Sequence, residues 1–306
     1  MSKQIFVLGS ASVDHVLNMA TLPRPGETIT GSAYNIFPGG KGANQAVACA
    51  RLGGNTRFMA CLGQDAYGEK FTRQFADDGI DTSLIELIEN CNTGVAMIFV
   101  DQKAENCIGI SAEANGELTE EKVRRRQSDI AAADFLLLSL ETPAESVCAA
   151  AEIAKAAGTC VVVNPAPARH LSDELLACVD MITPNQTEAE VLSGVAVDNE
   201  ADAAEAAIAL HGKGIGTVVI TMGKQGAFIS DYEGTRMVPG FKVDATDTTA
   251  AGDTFNGALL VALAEGQSID EACRFGNAAA ALSVTKSGAQ SSIPDRRETD
   301  FFLDQI

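Results

Sequence analysis

The stretch from residue 247 to residue 266 combines the groups needed to bind an anion with a carboxylate that could accept a proton. Ala250, Ala251 and Gly252 have small side chains that leave their backbone amides unshielded, and the apolar residues after them recur with the spacing of one buried helix face. Amides at a helix N-terminus favour an anion, because they lack intrahelical acceptors and lie at the positive end of the helix dipole. Asp253 lies within the same turn.

Asp253 has two interpretations. An acidic residue in a first helical turn is favourable against the helix dipole and often has no other role. Two features favour a chemical role here. Gly252 allows a ligand to approach the backbone closely, and a phosphate on the amides would lie beside Asp253. Asp253 could then accept the proton of an attacking hydroxyl, which predicts a phosphoryl-transfer site with an anion hole at residues 250–252.

A second glycine-rich turn precedes a predicted helix at residues 38–53. A Walker A loop requires Ser or Thr after the lysine, but Gly42 follows Lys41, and G-x-G-x-x-G fails because Gln45 occupies its last position. The remaining feature is a tight turn from which Lys41 and Asn44 project at a helix start. These side chains suit a neutral polyol, although a purely structural glycine turn is the alternative.

Two runs of sequence resemble a known family. DTTAAGDTFNGAL, residues 247–259, resembles the C-terminal signature of the ribokinase-like (PfkB-type) carbohydrate kinases, and GGKGANQA, residues 39–46, resembles their N-terminal signature. The resemblance implies that Gly252 and Asp253 supply the anion hole and the catalytic base. It also implies that the residues from Gly40 to Asn44 contact the sugar.

Length and composition limit the possible architecture and partners. The chain has 306 residues, 46% of them hydrophobic, which predicts one large domain with a small appendage. The formal net charge of −19 would repel nucleic acids and anionic membranes, so we expect neither as a partner. Anionic ligands must then be held by local amides or metal ions.

Cysteine usage and the N-terminus both suggest the cytoplasm. None of the 8 cysteines forms a CxxC pair or has a histidine at metal-ligand spacing, which favours reduced, buried thiols. The N-terminus enters a short apolar run with no signal-peptide segment, and no run is long enough to span a bilayer.

Apolar runs alternate with helical segments from residue 118 onward, which predicts a parallel sheet covered by helices on both faces. Polar residues gather where the predicted strands end, as expected for a ligand crevice at one sheet edge: Asp14, Glu141, Asn164, Asn185 and Thr221. We read Asp14 as a loop residue after the first strand. Residues 15–38 and 92–111 do not fit this alternation and predict a separate small β-sheet.

The resemblance supplies an expected architecture and expected site residues. It implies a single three-layer α/β/α kinase domain over residues 1–306, with a mostly parallel sheet and a β lid over the sugar that pairs subunits in a homodimer. The expected sugar-binding residues are Ser12, Asp14, Gly40, Lys41, Asn44, Glu141 and Asp253. The expected nucleotide-binding residues are Asn185, Glu188, Thr221, Gly223, Gly226, Gly252 and Asn277, with Glu188 organising Mg²⁺ through water. The expected K⁺ ligands, mainly through backbone oxygens, are Asp247, Thr249, Ser283, Lys286, Gly288 and Ser292.

The function implied is ATP-dependent phosphorylation of ribose at O5, with Asp253 as the general base. Within the same class, the substrate could instead be 2-deoxyribose, fructose, a sugar phosphate or a nucleoside. A non-catalytic sugar-binding protein on the same scaffold is an alternative from a different class, because fold does not fix function. A dinucleotide-dependent oxidoreductase is disfavoured by the missing glycine fingerprint.

Overall fold

The computed structural model describes residues 3–103 and 105–305. Its strands, in chain order, are β1 Gln4–Leu8, β2 Ser12–Asn18, β3 Ala33–Gly39, β4 Asn55–Gly63, β5 Asp81–Ile88, β6 Gly94–Val100, β7 Asn106–Ser111, β8 Phe135–Leu138, β9 Cys160–Val163, β10 Met181–Ile182, β11 Thr217–Thr221, β12 Gly226–Asp231 and β13 Gly234–Pro239. Its α-helices are α1 Lys41–Arg51, α2 Ala66–Asp77, α3 Glu120–Arg125, α4 Gln127–Ala131, α5 Ala144–Ala157, α6 Asp173–Leu176, α7 Gln186–Ser193, α8 Glu200–His211, α9 Ala251–Ala264, α10 Ile269–Ser283 and α11 Arg296–Asp304.

The larger sheet has nine strands in the order β13-β12-β11-β10-β9-β8-β1-β4-β5. It is parallel from β11 to β5, and β12 and β13 add an antiparallel hairpin at one edge. Side chains alternate between the faces of each strand. Ile5 and Val7 therefore pack into the core layer that contains α1, α2, α9 and α10, whereas Phe6 and Leu8 pack into the layer that contains α3 to α8. The predicted mostly parallel three-layer α/β/α architecture is confirmed.

The smaller sheet has four strands in the order β3-β2-β6-β7. The β2–β3 and β6–β7 pairs are antiparallel, and the central β2–β6 pair is parallel. This sheet extends beyond the predicted range, because β2 begins at Ser12. Asp14 is therefore a strand residue and does not lie in a loop. Ala104, within the expected second segment of the small sheet, lies outside the described residues, as do the two N-terminal residues and Ile306.

The thiols are less buried than expected. Three of the eight cysteines are buried, four are half-buried, and Cys107 on β7 is exposed. The expectation of buried thiols is wrong for Cys107, because β7 is an exposed strand along its whole length. In the part of the chain that the structure describes, no helix is long and apolar enough to cross a membrane.

Candidate active site at the carboxyl edge of the larger sheet

The turn predicted to bind an anion lies at the N-terminus of α9. Ala250 caps the helix in the left-handed region, with φ of 60°, and its carbonyl oxygen accepts the Thr254 amide at 2.8 Å. The Ala251 amide already donates to the Thr248 carbonyl oxygen at 3.3 Å. A Cβ atom added at Gly252 would meet no heavy atom of the described residues within 4 Å. Gly252 therefore faces open space at the start of the helix.

Asp253 is 6% exposed and both of its carboxylate oxygens accept hydrogen bonds from amide side chains. Asn44 Nδ2 donates to Oδ2 at 3.0 Å, and Gln45 Nε2 donates to Oδ1 at 3.0 Å. Burial raises the pKa of Asp253 to about 6, although Lys41 and the two amide donors act to lower it. This carboxyl group is therefore fixed in orientation and is more basic than an exposed aspartate.

Two cavities adjoin this turn. The inner cavity, about 180 Å³, is lined by Lys41, Asn164, Ala166, Thr183, Asn185, Glu188, Thr221, Thr248, Ala250, Ala251, Gly252, Asp253 and Asn256. The outer cavity, about 950 Å³, is bounded by the β11–β12 turn, the β13–α9 loop and helices α7, α9 and α10. Both cavities are lined by Gly252 and Asn185, so the anion-binding turn lies where they meet. Asp253 is thus not sealed in the core.

The glycine-rich turn at the start of α1 packs tightly against the end of β1. Gly40 has φ of 90°, and a Cβ atom there would lie 2.6 Å from Ala11 Cα. A Cβ atom at Gly42 would lie 2.6 Å from Gly9 Cα. Any larger side chain would push α1 away from the sheet. The sequence GGKG therefore brings the N-terminus of α1, with Lys41 and Asn44, against the same sheet edge as Asp253.

Asp14 reaches this site from β2. Ser12 Oγ donates to Asp14 Oδ1 at 2.8 Å, and burial raises the pKa of Asp14 to about 6 despite this hydrogen bond. A Cβ atom at Gly39 would lie 2.0 Å from Asp14 Oδ2, so the neighbouring strand must carry glycine there. Gly39 therefore makes room for the Asp14 carboxylate. This role of Gly39 was not predicted from the sequence.

Glu141 lies at the end of β8 and binds the start of α1. Its Oε2 accepts the Lys41 backbone amide at 3.0 Å and the Ser10 hydroxyl at 2.5 Å. Burial acts to lower the pKa of Lys41, but Asp253, Glu141 and other nearby carboxylates outweigh it, so that the pKa is raised. The ammonium group is therefore charged and surrounded by acidic groups. Ser10 was not predicted.

Asn185 and Glu188 form a capping box at the start of α7. Asn185 Oδ1 accepts the Glu188 amide at 2.8 Å, and Glu188 Oε2 accepts the Asn185 amide at 2.8 Å. Burial raises the pKa of Glu188, while the Asn185 amide and Lys41 act to lower it. Both residues line the inner cavity, and Asn185 also lines the outer one.

The remaining predicted nucleotide-binding residues line the outer cavity, namely Thr221, Gly223, Gly226 and Asn277. Gly223 and Gly226 have φ of 55° and 108°, and the turn they form joins β11 to β12. Asn277 Nδ2 donates to the Val238 carbonyl oxygen at 3.0 Å. Lys224 and Lys242 also line this cavity and were not predicted.

Several predicted K⁺ ligands lie close to one another. Asp247 Oδ1 accepts the amide and hydroxyl of Thr249, and its Oδ2 accepts the Gly288 amide at 2.9 Å. The Lys286 amide donates to the Ser283 carbonyl oxygen at 3.1 Å. The Lys286 ammonium group pairs with Glu298 at 2.8 Å and has no lone pair to offer a cation, so only the Lys286 carbonyl oxygen is a possible ligand. Ser292 is buried and donates to the Ala289 carbonyl oxygen.

The loop that carries Gly288 and Ser292 is attached to α1. Arg51, at the C-terminus of that helix, donates to the Gln290 carbonyl oxygen at 2.5 Å and to the Ile293 carbonyl oxygen at 3.3 Å. The same guanidinium pairs with Asp78 at 2.8 Å. The loop is therefore held by the helix whose other end carries the glycine-rich turn.

A doubly covered α/β sheet, a helix start that faces open space at Gly252 and a buried carboxyl group in the adjoining cavity are features of a small-molecule phosphotransferase. A model described as "pfkB family carbohydrate kinase" matches residues 2–296. The chain belongs to this family of carbohydrate kinases, as the sequence resemblance indicated.

Individual relatives support the same assignment. The chain is 53% identical over 304 residues to a protein named ribokinase from Haemophilus influenzae, covering 99% of each. It is similar to the crystal structure of ribokinase from Thermotoga maritima, with a TM-score of 0.90, 39% identity and 99% of each chain covered. The structure of Arabidopsis thaliana ribokinase complexed with ribose and ATP matches with a TM-score of 0.91 and 30% identity, again over 99% of each chain.

Proposed function

We propose that this chain phosphorylates D-ribose at O5, using ATP as the phosphoryl donor. In the reaction the O5 oxygen forms a bond to the γ-phosphorus, the bond from that phosphorus to the bridging oxygen breaks, and ADP leaves. The O5 proton moves to the Asp253 carboxylate. The observation that carries the proposal is the position of Asp253, which is buried, held by two side-chain amides and lines the inner cavity beside Gly252, the residue that borders both cavities.

The two sides of the site have different chemistry, and this supports the assignment of substrates. Asp14, Lys41, Asn44 and Glu141 supply paired acceptors and donors that match the hydroxyl groups of a neutral sugar. The outer cavity is large enough for a nucleotide. Lys224, in the turn between β11 and β12, lines it and adds a positive charge. The amides at the start of α9 then stabilise charge on the phosphoryl group in transit.

Metal ions fit two places in this arrangement. Glu188 has one carboxylate oxygen that does not cap α7, and it lines the inner cavity, so it can hold hydrated Mg²⁺ near the phosphates. When bound there, Mg²⁺ would neutralise negative charge on the phosphate oxygens of ATP. We propose that K⁺ is held by Asp247, Thr249, Ser283, Lys286, Gly288 and Ser292, mainly through backbone oxygens.

The function test is an ADP-release assay with ribose, 2-deoxyribose, fructose and adenosine, each with and without K⁺. We expect the highest kcat/KM for ribose. A higher value for another acceptor would reassign the substrate within the family. Ribose binding without ADP release from any acceptor would instead support a non-catalytic sugar-binding protein.

We also propose that the small sheet is a lid over the sugar, that it pairs two copies of the chain, and that the protein works in the cytoplasm. Five of the nine large apolar side chains that are exposed among the described residues lie on this sheet: Tyr34, Ile36, Met97, Ile108 and Ile110. By the strand register, Ile108 and Ile110 lie on the face that carries Asp14, whereas Tyr34, Ile36 and Met97 lie on the opposite face. Exposed apolar side chains gathered on one small sheet favour a protein partner. Because Ile108 and Ile110 share their face with Asp14, a second copy that packs on these two side chains would close over the sugar side.

The dimer proposal predicts a defined change in mass. Sedimentation of the wild-type protein should give about twice the chain mass of 31.8 kDa. Ile110→Glu places a charge beside Ala96 on the sheet face that carries Asp14 and should give monomers, whereas Ile208→Glu, which alters an exposed apolar residue on α8, should leave the dimer intact. A wild-type monomer would contradict the proposal.

The raised pKa values predict a steep loss of activity in acid. Asp253 must be ionised to accept a proton and Asp14 to bind the sugar as an acceptor, and burial raises the pKa of each to about 6. As pH falls through about 6 both groups bind protons, so kcat/KM should fall by between about 10-fold and 100-fold per pH unit. Assays from pH 5 to pH 8 would measure this. In Asp14→Asn the slope should decrease to about 10-fold per unit; an unchanged slope would remove Asp14 from this role.

A further inference from the structure

Gln45 connects the candidate base to the end of a neighbouring strand. Its Nε2 donates both to Asp253 Oδ1 and to Asn164 Oδ1, each at 3.0 Å. Gln45 lies on α1, Asn164 follows β9, and Asp253 lies in the first turn of α9. The Gln45 amide therefore links α1, the residue after β9 and the start of α9 at Asp253, the candidate catalytic base.

These hydrogen bonds continue around the inner cavity. Asn164 Nδ2 donates to the Thr183 carbonyl oxygen at 3.2 Å, and Thr183 Oγ donates to Asn256 Oδ1 at 2.5 Å. Asn256 Nδ2 donates to the Gly252 carbonyl oxygen at 2.8 Å, which returns to the residue before Asp253. The ring fixes the orientation of the Gln45 amide: the Thr183 carbonyl requires Asn164 to turn its nitrogen towards it, so that the Asn164 oxygen faces Gln45.

Gln45 has no direct access to a ligand. Its side chain is fully buried, and it lines neither cavity, in contrast to Asp253 and Asn164. Its Oε1 is buried without a hydrogen-bond partner among the described residues. An unpaired buried acceptor is unfavourable, so the two hydrogen bonds that Nε2 donates are what this side chain contributes at its position.

We propose that Gln45 is a positioning residue that holds the Asp253 carboxyl group towards the inner cavity. The inference rests on the proposed role of Asp253 as the base. A single donor, from Asn44, would fix one carboxylate oxygen and leave the group free to rotate about it. The second donor, from Gln45, fixes the other oxygen and therefore the plane of the group.

The amide donors also favour the ionised carboxylate, because only that form accepts hydrogen bonds through both oxygens. The charged groups that act on Asp253 are Lys41 on α1, which lowers its pKa, and Glu141 after β8, which raises it. Removing the Gln45 donor should therefore move the pKa of Asp253 further upward.

The test compares Gln45→Met, which keeps the length of the side chain and removes the donor, with Ser146→Ala. Ser146 is also buried and donates to the Leu118 carbonyl oxygen, far from the base, so its loss reports a purely structural effect. For Gln45→Met we expect kcat for ribose to fall by about 10- to 100-fold, KM for ribose to change by less than about threefold, and the acid limb of the kcat/KM profile to move to higher pH. Ser146→Ala should keep the wild-type kcat and acid limb.

Gln45→Glu provides a second variant if Gln45→Met does not fold. A second carboxyl group against Asp253 should move the acid limb upward by more than the loss of the donor alone, because two neighbouring carboxylates resist joint ionisation. An acid limb at the wild-type position in the folded variant overturns the inference. The wild-type protein separates the two hypotheses: no turnover of ribose rejects the proposed function, whereas normal wild-type turnover with an unmoved acid limb rejects only the role of Gln45.

Discussion

Replacing Asp253 with Asn is expected to lower kcat for ribose by about 10³-fold or more, while ribose binding stays within about tenfold of wild type. A positioned general base typically contributes about 10²–10⁴ in rate, and both Asp253 oxygens are held by side-chain amides at the inner cavity. The sugar would still be bound by Asp14, Lys41, Asn44 and Glu141. Single-turnover kinetics would measure the chemical step, and calorimetry with ribose would measure binding.

Asp77→Asn is the matched control for this variant. It makes the same change in net charge on an exposed residue at the C-terminus of α2, distant in the chain from the predicted site. We expect wild-type kinetics. Near wild-type turnover by Asp253→Asn would remove Asp253 from its role as base and leave the amide donors of α9 as the main catalytic feature.

Replacing Gly252 with Val is expected to lower kcat by about 10²–10³-fold without destabilising the protein. A Cβ atom at this position meets no heavy atom of the described residues within 4 Å, so the fold can accept it. The added methyl groups would instead occupy the space in which the phosphoryl group must approach the backbone amides. Loss of one such donor contact typically costs about this much in rate.

Gly257→Ala is the opposite case, one and a half turns further along α9. Its Cβ atom would lie 2.5 Å from Ala48 Cβ and 2.9 Å from the Cys49 amide nitrogen. It should lower the free energy of unfolding by about 1–3 kcal/mol, and it should lower kcat of the folded enzyme much less than Gly252→Val, because it displaces α1 without entering the space of the phosphoryl group. Thermal unfolding and steady-state kinetics on both variants would separate the two effects. Normal turnover by Gly252→Val would show that the anion does not approach this residue.

The residues that could be predicted lie in short runs with local spacing rules. The 247–259 run combines a glycine, an acid and a helix-periodic apolar face, all within four helical turns. The left-handed conformation of Ala250 could not be predicted from the sequence, because a non-glycine residue rarely adopts it without tertiary contacts.

The missed residues act through contacts distant in sequence. Gln45 meets Asp253 across 208 positions and Asn164 across 119. One sequence signal was available for Gln45, a polar residue within the buried alanine-rich part of α1. The first three residues of β2, Ser12 to Asp14, were placed outside the small sheet, because β2 joins that sheet by pairing with β6, about 80 residues later, and its own apolar alternation is weak.

Helix α1 runs from the glycine-rich turn to Arg51, a span of about 16 Å at 1.5 Å per residue. Its N-terminal end carries residues proposed to bind the sugar. At its C-terminal end, Arg51 donates hydrogen bonds to the carbonyl oxygens of Gln290 and Ile293. Because one helix contacts both regions, a rigid shift of α1 along its axis would move both of its ends together. The residues proposed to bind the pentose and the loop proposed to hold potassium are therefore mechanically coupled through α1.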